Sequence, residues 1–242
     1  MDHMPRVLDA VKRAYRDLLD VYQSLANLAV MALILSLVVS AIGFFLTRFG
    51  FGLFGQLVRL AVHIGLGFVM APYLIAVHRF ILLGKLTARY EFDIGDLRLQ
   101  RFLGWTVVFA LLSAAPTILS RILPLPGLLR AVLAVGIAIA VVIVTVRLIV
   151  VLPAVAVDSE RVTWQNAMAD TQGYAGRIFL ICLLAGLPVG LAAIVLSAIF
   201  ASAGFFMLGA ALIQSAGGII AASLAVVIAS RVYEALGDRV RA

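Results

Sequence analysis

The stretch that decides the fold is residues 178–230, IFLICLLAGLPVGLAAIVLSAIFASAGFFMLGAALIQSAGGIIAASLAVVIAS, 53 consecutive residues without a Lys, Arg, Asp or Glu. One straight helix of that length would measure ~80 Å at ~1.5 Å per residue, against a bilayer hydrocarbon core of ~30 Å. The chain must turn back inside the stretch, and Ala201-Ser202-Ala203-Gly204 is where small residues permit it. Two spans are therefore predicted, at 178–200 and 205–230. Barrel strands would alternate polar and apolar positions over ~10 residues, whereas these runs are apolar on every face.

Outward from that stretch the same pattern recurs four times, at about 25–46, 57–79, 102–120 and 128–152. The second run carries Arg59 and His63 near one end and His78-Arg79 at the other, and the fourth carries Arg147 late. Hydrophobic residues make up 64% of the 242-residue chain and charged ones 13%, which leaves a soluble globule too little polar surface to cover its core. The single cysteine, Cys182, excludes a disulfide scaffold, and the hydrophobicity excludes disorder. The expected fold is an all-α integral membrane protein, one membrane domain over 1–242 with six transmembrane helices. An amphipathic helix at 5–22 precedes them, with Leu8, Val11, Tyr15, Leu18 and Tyr22 on one stripe and Arg6, Lys12, Arg13 and Arg16 elsewhere. Such a helix suits the headgroup layer, where its basic residues meet anionic lipid.

The net charge of +7 is not a nucleic-acid signature, because the basic residues flank apolar runs instead of lining a soluble face. Counting Lys and Arg places 15 on one side: Arg6, Lys12, Arg13 and Arg16; Arg79, Lys85, Arg89, Arg98 and Arg101; Arg147, Arg161 and Arg177; and Arg231, Arg239 and Arg241. The other side holds four, Arg48, Arg59, Arg121 and Arg130. The positive-inside rule then puts both termini in the cytoplasm. Seventeen of the 19 basic residues are Arg, a composition suggesting a GC-rich bacterial genome and hence a bacterial inner membrane.

The acidic residues bound the chemistry. None lies between Asp20 and Glu91, between Asp96 and Asp158, or between Asp170 and Glu234, so no span holds a carboxylate. Proton-coupled pumps and paired-aspartate intramembrane proteases both need one. There is no HExxH, no cysteine–histidine metal spacing, no phosphate-cradling glycine loop before Lys85 and no GxSxG. A Ser–His hydrolase drawing on His63 and a span serine such as Ser215 stays formally open. Arg147 lies near enough to its helix end to reach the interface, where Asp158 or Asp170 would pair with it. His78 and Arg79 read as an interfacial anchor, and Arg59 and His63, one turn apart, as headgroup contacts. Gly186-Leu187-Pro188-Val189-Gly190 fits a GxxxG close approach between helices. A short amphipathic helix is read at 162–171, ended by Gly173.

The segment Val146-Arg147-Leu148-Ile149-Val150-Val151-Leu152-Pro153-Ala154-Val155-Ala156-Val157-Asp158, continuing through Trp164, Ala167, Thr171-Gln172-Gly173 and Arg177-Ile178-Phe179, resembles the membrane domain found beside some glycerophosphoryl diester phosphodiesterases. Related six-helix bacterial inner-membrane families show a similar pattern. The resemblance implies a six-helix membrane fold and no enzymatic activity, because the phosphodiesterase chemistry belongs to a separate soluble barrel whose HRG motif is missing here: His78-Arg79 is followed by Phe80. The expectation is a non-enzymatic inner-membrane protein without a cofactor. Its partners would be membrane lipids and a cytoplasmic or membrane protein, met through membrane assembly, lipid contact and a cytoplasmic docking surface. The alternative is a small-molecule or lipid transporter. Reporter fusions at Gly95 and Gly173 should read cytoplasmic and those at Gly127 and Gly204 periplasmic; inversion of either pair is incompatible with six spans.

Overall fold

A backbone in lipid has no water to bond, so its N–H and C=O groups must be satisfied internally, and apolar runs of this length fold as helices. A computed structural model describes residues 4–47, 52–122, 126–203, 209–210 and 212–241, and helix is the only regular secondary structure among them. In chain order these are α1 (Val7–Ser24), α2 (Ala26–Thr47), α3 (Gly52–Leu83), α4 (Leu97–Ile122), α5 (Gly127–Arg147), α6 (Val151–Ala156), α7 (Trp164–Asp170) and α8 (Ala175–Ser202). A π-helical turn at Ile213–Gly217 leads into α9 (Gly218–Leu236), and α10 (Asp238–Arg241) follows. Among the described residues six helical segments are long and apolar enough to cross a membrane: Ala26–Leu46, Phe54–Leu83, Leu97–Ser120, Gly127–Ala156, Ala175–Ser202 and Ile213–Leu236. Arg48 and Gly204, on which expectations about the outer turns fall, lie outside the described residues.

Two boundaries differ from expectation for physical reasons. The second apolar run is one helix from Gly52 to Leu83, because charges at Arg59 and Arg79 end the apolarity without ending the backbone hydrogen bonding. The fourth run is broken: α5 stops at Arg147 and α6 starts at Val151 after a turn. Pro153 has no N–H for the Ile149 carbonyl, which makes the turn the natural outcome. The short helix read at 162–171 is α7, with the Thr163 hydroxyl accepting from the Asn166 N–H at its start.

α2, α3, α4 and α5 pack in sequence order, and α9 returns to lie against α3, α1 and α8. Half of the α9 span is buried, against 11% for α4. The buried apolar side chains gather at one end of the bundle, the one carrying nearly all the charge. They include Ala71, Tyr73 and Val77 of α3, Phe102 of α4, Val151 and Ala154 of α6, Ile178 and Ile181 of α8, and Val227 and Val232 of α9. At the far end the buried residues among those described include Ser36, Ser40, Gln56, Ser215 and Ala110, while Val135, Ile139, Leu191, Ile194 and Ile199 are exposed. The segment joining α3 to α4 folds back on α3: the Tyr90 hydroxyl donates to the Val69 carbonyl, and the Phe92 ring lies 4.7 Å from that of Phe68. Burial pushes the Tyr90 phenol up to about 12.

Tyr73 and His78 of α3 meet Ser223 and Ser230 of α9, at 2.7 Å (Oη to Oγ) and 2.8 Å (Nδ1 to Oγ), so the two helices run parallel. Each serine donates to the carbonyl one turn back, Ile219 at 2.7 Å and Val226 at 2.9 Å, and uses its lone pairs across the seam. The Tyr22 hydroxyl, 3.4 Å from Ser223, brings α1 to the same point. α1 lies in the crevice of α8 and α9: the Tyr15 hydroxyl donates to the Ala185 carbonyl at 2.6 Å, and Arg231 pairs with both carboxylate oxygens of Asp17 at 2.7 and 3.0 Å. The apolar stripe of the expected headgroup-layer helix is thus largely taken up by the protein, with Leu18 buried, Val11, Tyr15 and Tyr22 partly buried against the core, and Leu8 exposed.

Close helix approach is made by glycines other than the GxxxG pair. A Cβ on Gly67 would sit 2.4 Å from Thr106 Cγ2, and one on Gly43 would sit 2.6 Å from Val62 Cγ1, whereas at Gly186 and Gly190 it would meet nothing within 4 Å. The latter two line an apolar crevice of about 420 Å³ between α8 and α9. Because β-branched neighbours cannot swing away, Gly67→Val should lower the thermal unfolding midpoint in detergent by several degrees, while Gly186→Val leaves it within about a degree.

Candidate functional site

At the charged end three connections are fastened by side chains. α6 ends with the Asp158 N–H on the Val155 carbonyl at 3.1 Å and the Ser159 N–H on the Ala154 carbonyl at 3.0 Å. This is the two-bond helix stop that usually places glycine in the left-handed position. Asp158 holds that position with φ of 60°. Its carboxylate takes Arg98 Nε at 2.8 Å and Arg98 Nη2 at 2.6 Å, and Arg79 Nη1 lies 3.4 Å away. The Arg98 guanidinium, with Arg79 adding to it, holds the Asp158 carboxyl below the usual carboxylate range. One side chain therefore ties α6 to the C-terminal end of α3 and the N-terminal end of α4.

This corrects the expected partner of Arg147. Arg147 Nη2 donates instead to the Met168 carbonyl at 2.6 Å, at the carbonyl end of α7. The Thr171 hydroxyl answers in the opposite direction, 2.8 Å from the Arg147 carbonyl. Asp158 is already engaged by two other arginines, and Asp170 is used elsewhere: its oxygens accept the Arg239 and Val240 N–H groups at 3.1 and 3.0 Å, capping α10. Arg147 does order the segment between α5 and α8, but through backbone carbonyls that no sequence pattern names.

His78 and Arg79 do not form one interfacial anchor, because neighbours on a helix point ~100° apart. Arg79 turns out to Asp158, while His78 turns into the bundle, fully buried against Ser230, with its ring edge-on to Phe102 at 6.1 Å between centroids. Ser230 commits its proton to Val226, so His78 Nδ1 carries the hydrogen and Nε2 is left without a partner. The serine is thereby an acceptor, not an activated nucleophile. The pair weighed as a hydrolase does not come together either: the Ser215 hydroxyl bonds Ser40 Oγ at 3.2 Å in a buried seam, while His63 faces a different gap.

That gap is the more site-like feature. Beyond the Gly67–Thr106 contact, toward the far end, a cleft of about 200 Å³ lies between α3 and α4. Gln56, Arg59, Leu60 and His63 line it from α3, and Ala110, Ser113, Ala114, Thr117 and Ile118 from α4. The structure thus brings the expected pair Arg59 and His63 together with Gln56, Ser113 and Thr117, which the sequence reading passed over. Their spacing, at three, four and seven residues on each helix, is the signal that would have found them. Among the described residues no group of three or more His, Cys, Asp or Glu is placed to hold a metal ion. Comparison with protein-family models, with curated proteins and with solved structures returned no match.

Two networks that share no atoms should behave independently. In unfolding measurements in detergent, Asp158→Asn and Arg98→Gln should be strongly non-additive, whereas Asp158→Asn and Arg147→Leu should add within about 0.5 kcal/mol. Coupling in the second pair would place Arg147 in the Asp158 network. The lowered carboxylate contributes stability that is present above its unfolded value of about 3.9 and is lost as pH falls through the lower folded value. Asn tolerates the left-handed backbone, so Asp158→Asn should keep the turn and lose stability less steeply than wild type between about pH 5 and pH 3.

Proposed function

We propose that the chain is a non-enzymatic multi-pass protein of a bacterial inner membrane, with both termini cytoplasmic, that acts through lipid contact and through docking at its charged end. The observation that carries this reading is the asymmetry of packing. Side chains such as Val77, Phe102, Val150 and Val227 are buried at the charged end, while the far halves of α4, α5 and α8 present apolar faces outward. A rigid end suits a docking platform, and apolar faces without protein cover suit lipid. A groove of about 580 Å³ at that end, lined by Arg101, Trp105, Glu160 and Val162 among others, offers a mixed polar and apolar surface to a cytoplasmic partner. α1 completes the arrangement, with Arg6, Lys12 and Arg16 exposed beside Leu8 and Leu19, so that its outer face meets the inner headgroup layer while its inner face is held by α8 and α9. The resemblance of residues 146–180 to the membrane domain beside glycerophosphoryl diester phosphodiesterases agrees with a membrane role without chemistry of its own.

Transport is the second reading, and the cleft at His63 favours it. Against it, Ala71, Tyr73, Val77 and Phe102 pack without exposed surface between that cleft and the charged end. Purified protein should retain lipids and a protein partner from mild detergent, identified by mass spectrometry. It should show no hydrolytic or ATP-dependent activity and no substrate flux in proteoliposomes. Flux abolished by His63→Ala in a folded variant would replace this reading with the transporter.

A further inference from the structure

The α3–α4 cleft is lined by hydrogen-bond donors and by no carboxylate. Arg59 offers a guanidinium, His63 a ring N–H, Gln56 an amide and Thr117 a hydroxyl. The described acids fall at 9–20, 91–96, 158–170 and 234–238, all at the charged end, so no carboxylate of the far half neutralises Arg59. Gln56 is 9% exposed, so its amide is held inside the cleft wall.

Depth identifies the source of the anion. The span Phe54–Leu83 has 30 residues, ~45 Å of helix against ~30 Å of hydrocarbon, so its ends lie in headgroup layers. Arg59 is five residues in from Phe54, ~7.5 Å along the helix, at the level of lipid phosphates. The neighbouring face of α4 exposes Val108 and Leu111, deeper in the membrane, which would lie along acyl chains. We propose that this cleft binds the phosphate of an anionic phospholipid in the far leaflet, with Arg59 as the charge-bearing ligand and Gln56, His63 and Thr117 completing the donor set. A zwitterionic headgroup fits less well, because its ammonium would find no carboxylate on this half of the molecule. The site rests on the lipid-contact reading and narrows it to one headgroup chemistry.

The test is native mass spectrometry of the full chain in mild detergent, titrated with phosphatidylglycerol or phosphatidylcholine. Wild type should hold one phosphatidylglycerol with at least about fivefold preference over phosphatidylcholine, a preference that Arg59→Gln loses. Arg59→Lys should keep part of it, and Arg130→Gln, a change of far-end charge outside the cleft, should leave it intact. An unchanged preference in Arg59→Gln, with circular dichroism showing the fold intact, overturns the site. Inorganic phosphate held through Arg59 without any lipid preference overturns the lipid source. If wild type retains lipids but shows no preference for phosphatidylglycerol, the cleft assignment fails while the lipid-contact reading stands; wild type that retains no lipid at all defeats both.

Discussion

In a bilayer, burying leucine against leucine gains little over leaving it in lipid, so helices need another reason to associate. In this chain the reason is polar and local. Ser223 and Ser230 of α9, one heptad apart, each donate back to their own helix and receive Tyr73 and His78 of α3. That device leaves both serine protons satisfied and turns an apolar helix pair into a registered one. Tyr22 adds α1 to the same junction, and the small side at Gly67 lets α4 close on α3 from the other face. The rest of the bundle is arranged around the α3–α9 seam.

The charged end is built on a second constraint, the conflict between a broken helix and its unpaired backbone groups. The turn after Arg147 and the stop at Asp158 leave carbonyls and N–H groups that must find partners. Thr171 takes the Arg147 carbonyl, Arg147 takes the Met168 carbonyl, and Asp170 takes two N–H groups of α10. Asp158 accepts a backbone conformation that glycine adopts more easily, and in exchange presents a carboxylate to Arg98 and Arg79. A glycine there would relax the backbone and lose the carboxylate that ties α3 and α4 to the end of α6. These bonds work at the water-exposed rim, where each is modest by itself; their weight lies in linking segments far apart in the chain.

The consequence for function is a molecule with two unlike halves. One half is fastened by polar contacts and covered by its own connections. The other presents exposed apolar faces on α4, α5 and α8 and a donor-lined cleft without a carboxylate among its described residues. On the function proposed above, lipid would complement such a half and a folded partner the other.

What the sequence determined by itself follows from counting. Six apolar runs, the fold-back within 178–230 and the crowding of charge on one side need only composition and the thickness of hydrocarbon, because lipid solvation acts on each segment separately. The short helix at 162–171 was likewise legible, whereas the break after Arg147 was not, although the proline that accounts for it stands in the sequence. Tertiary structure decided the pairings. Arg147 was read toward Asp158 or Asp170, yet a backbone carbonyl took it, since carbonyls carry no sequence label. His78 and Arg79 were read as a unit, yet the helical turn sent one inward and the other out. The GxxxG motif marked an open crevice, while Gly43 and Gly67 made the close contacts. Contact between segments depends on helix rotation and tilt, and in lipid no strong hydrophobic stripe announces either.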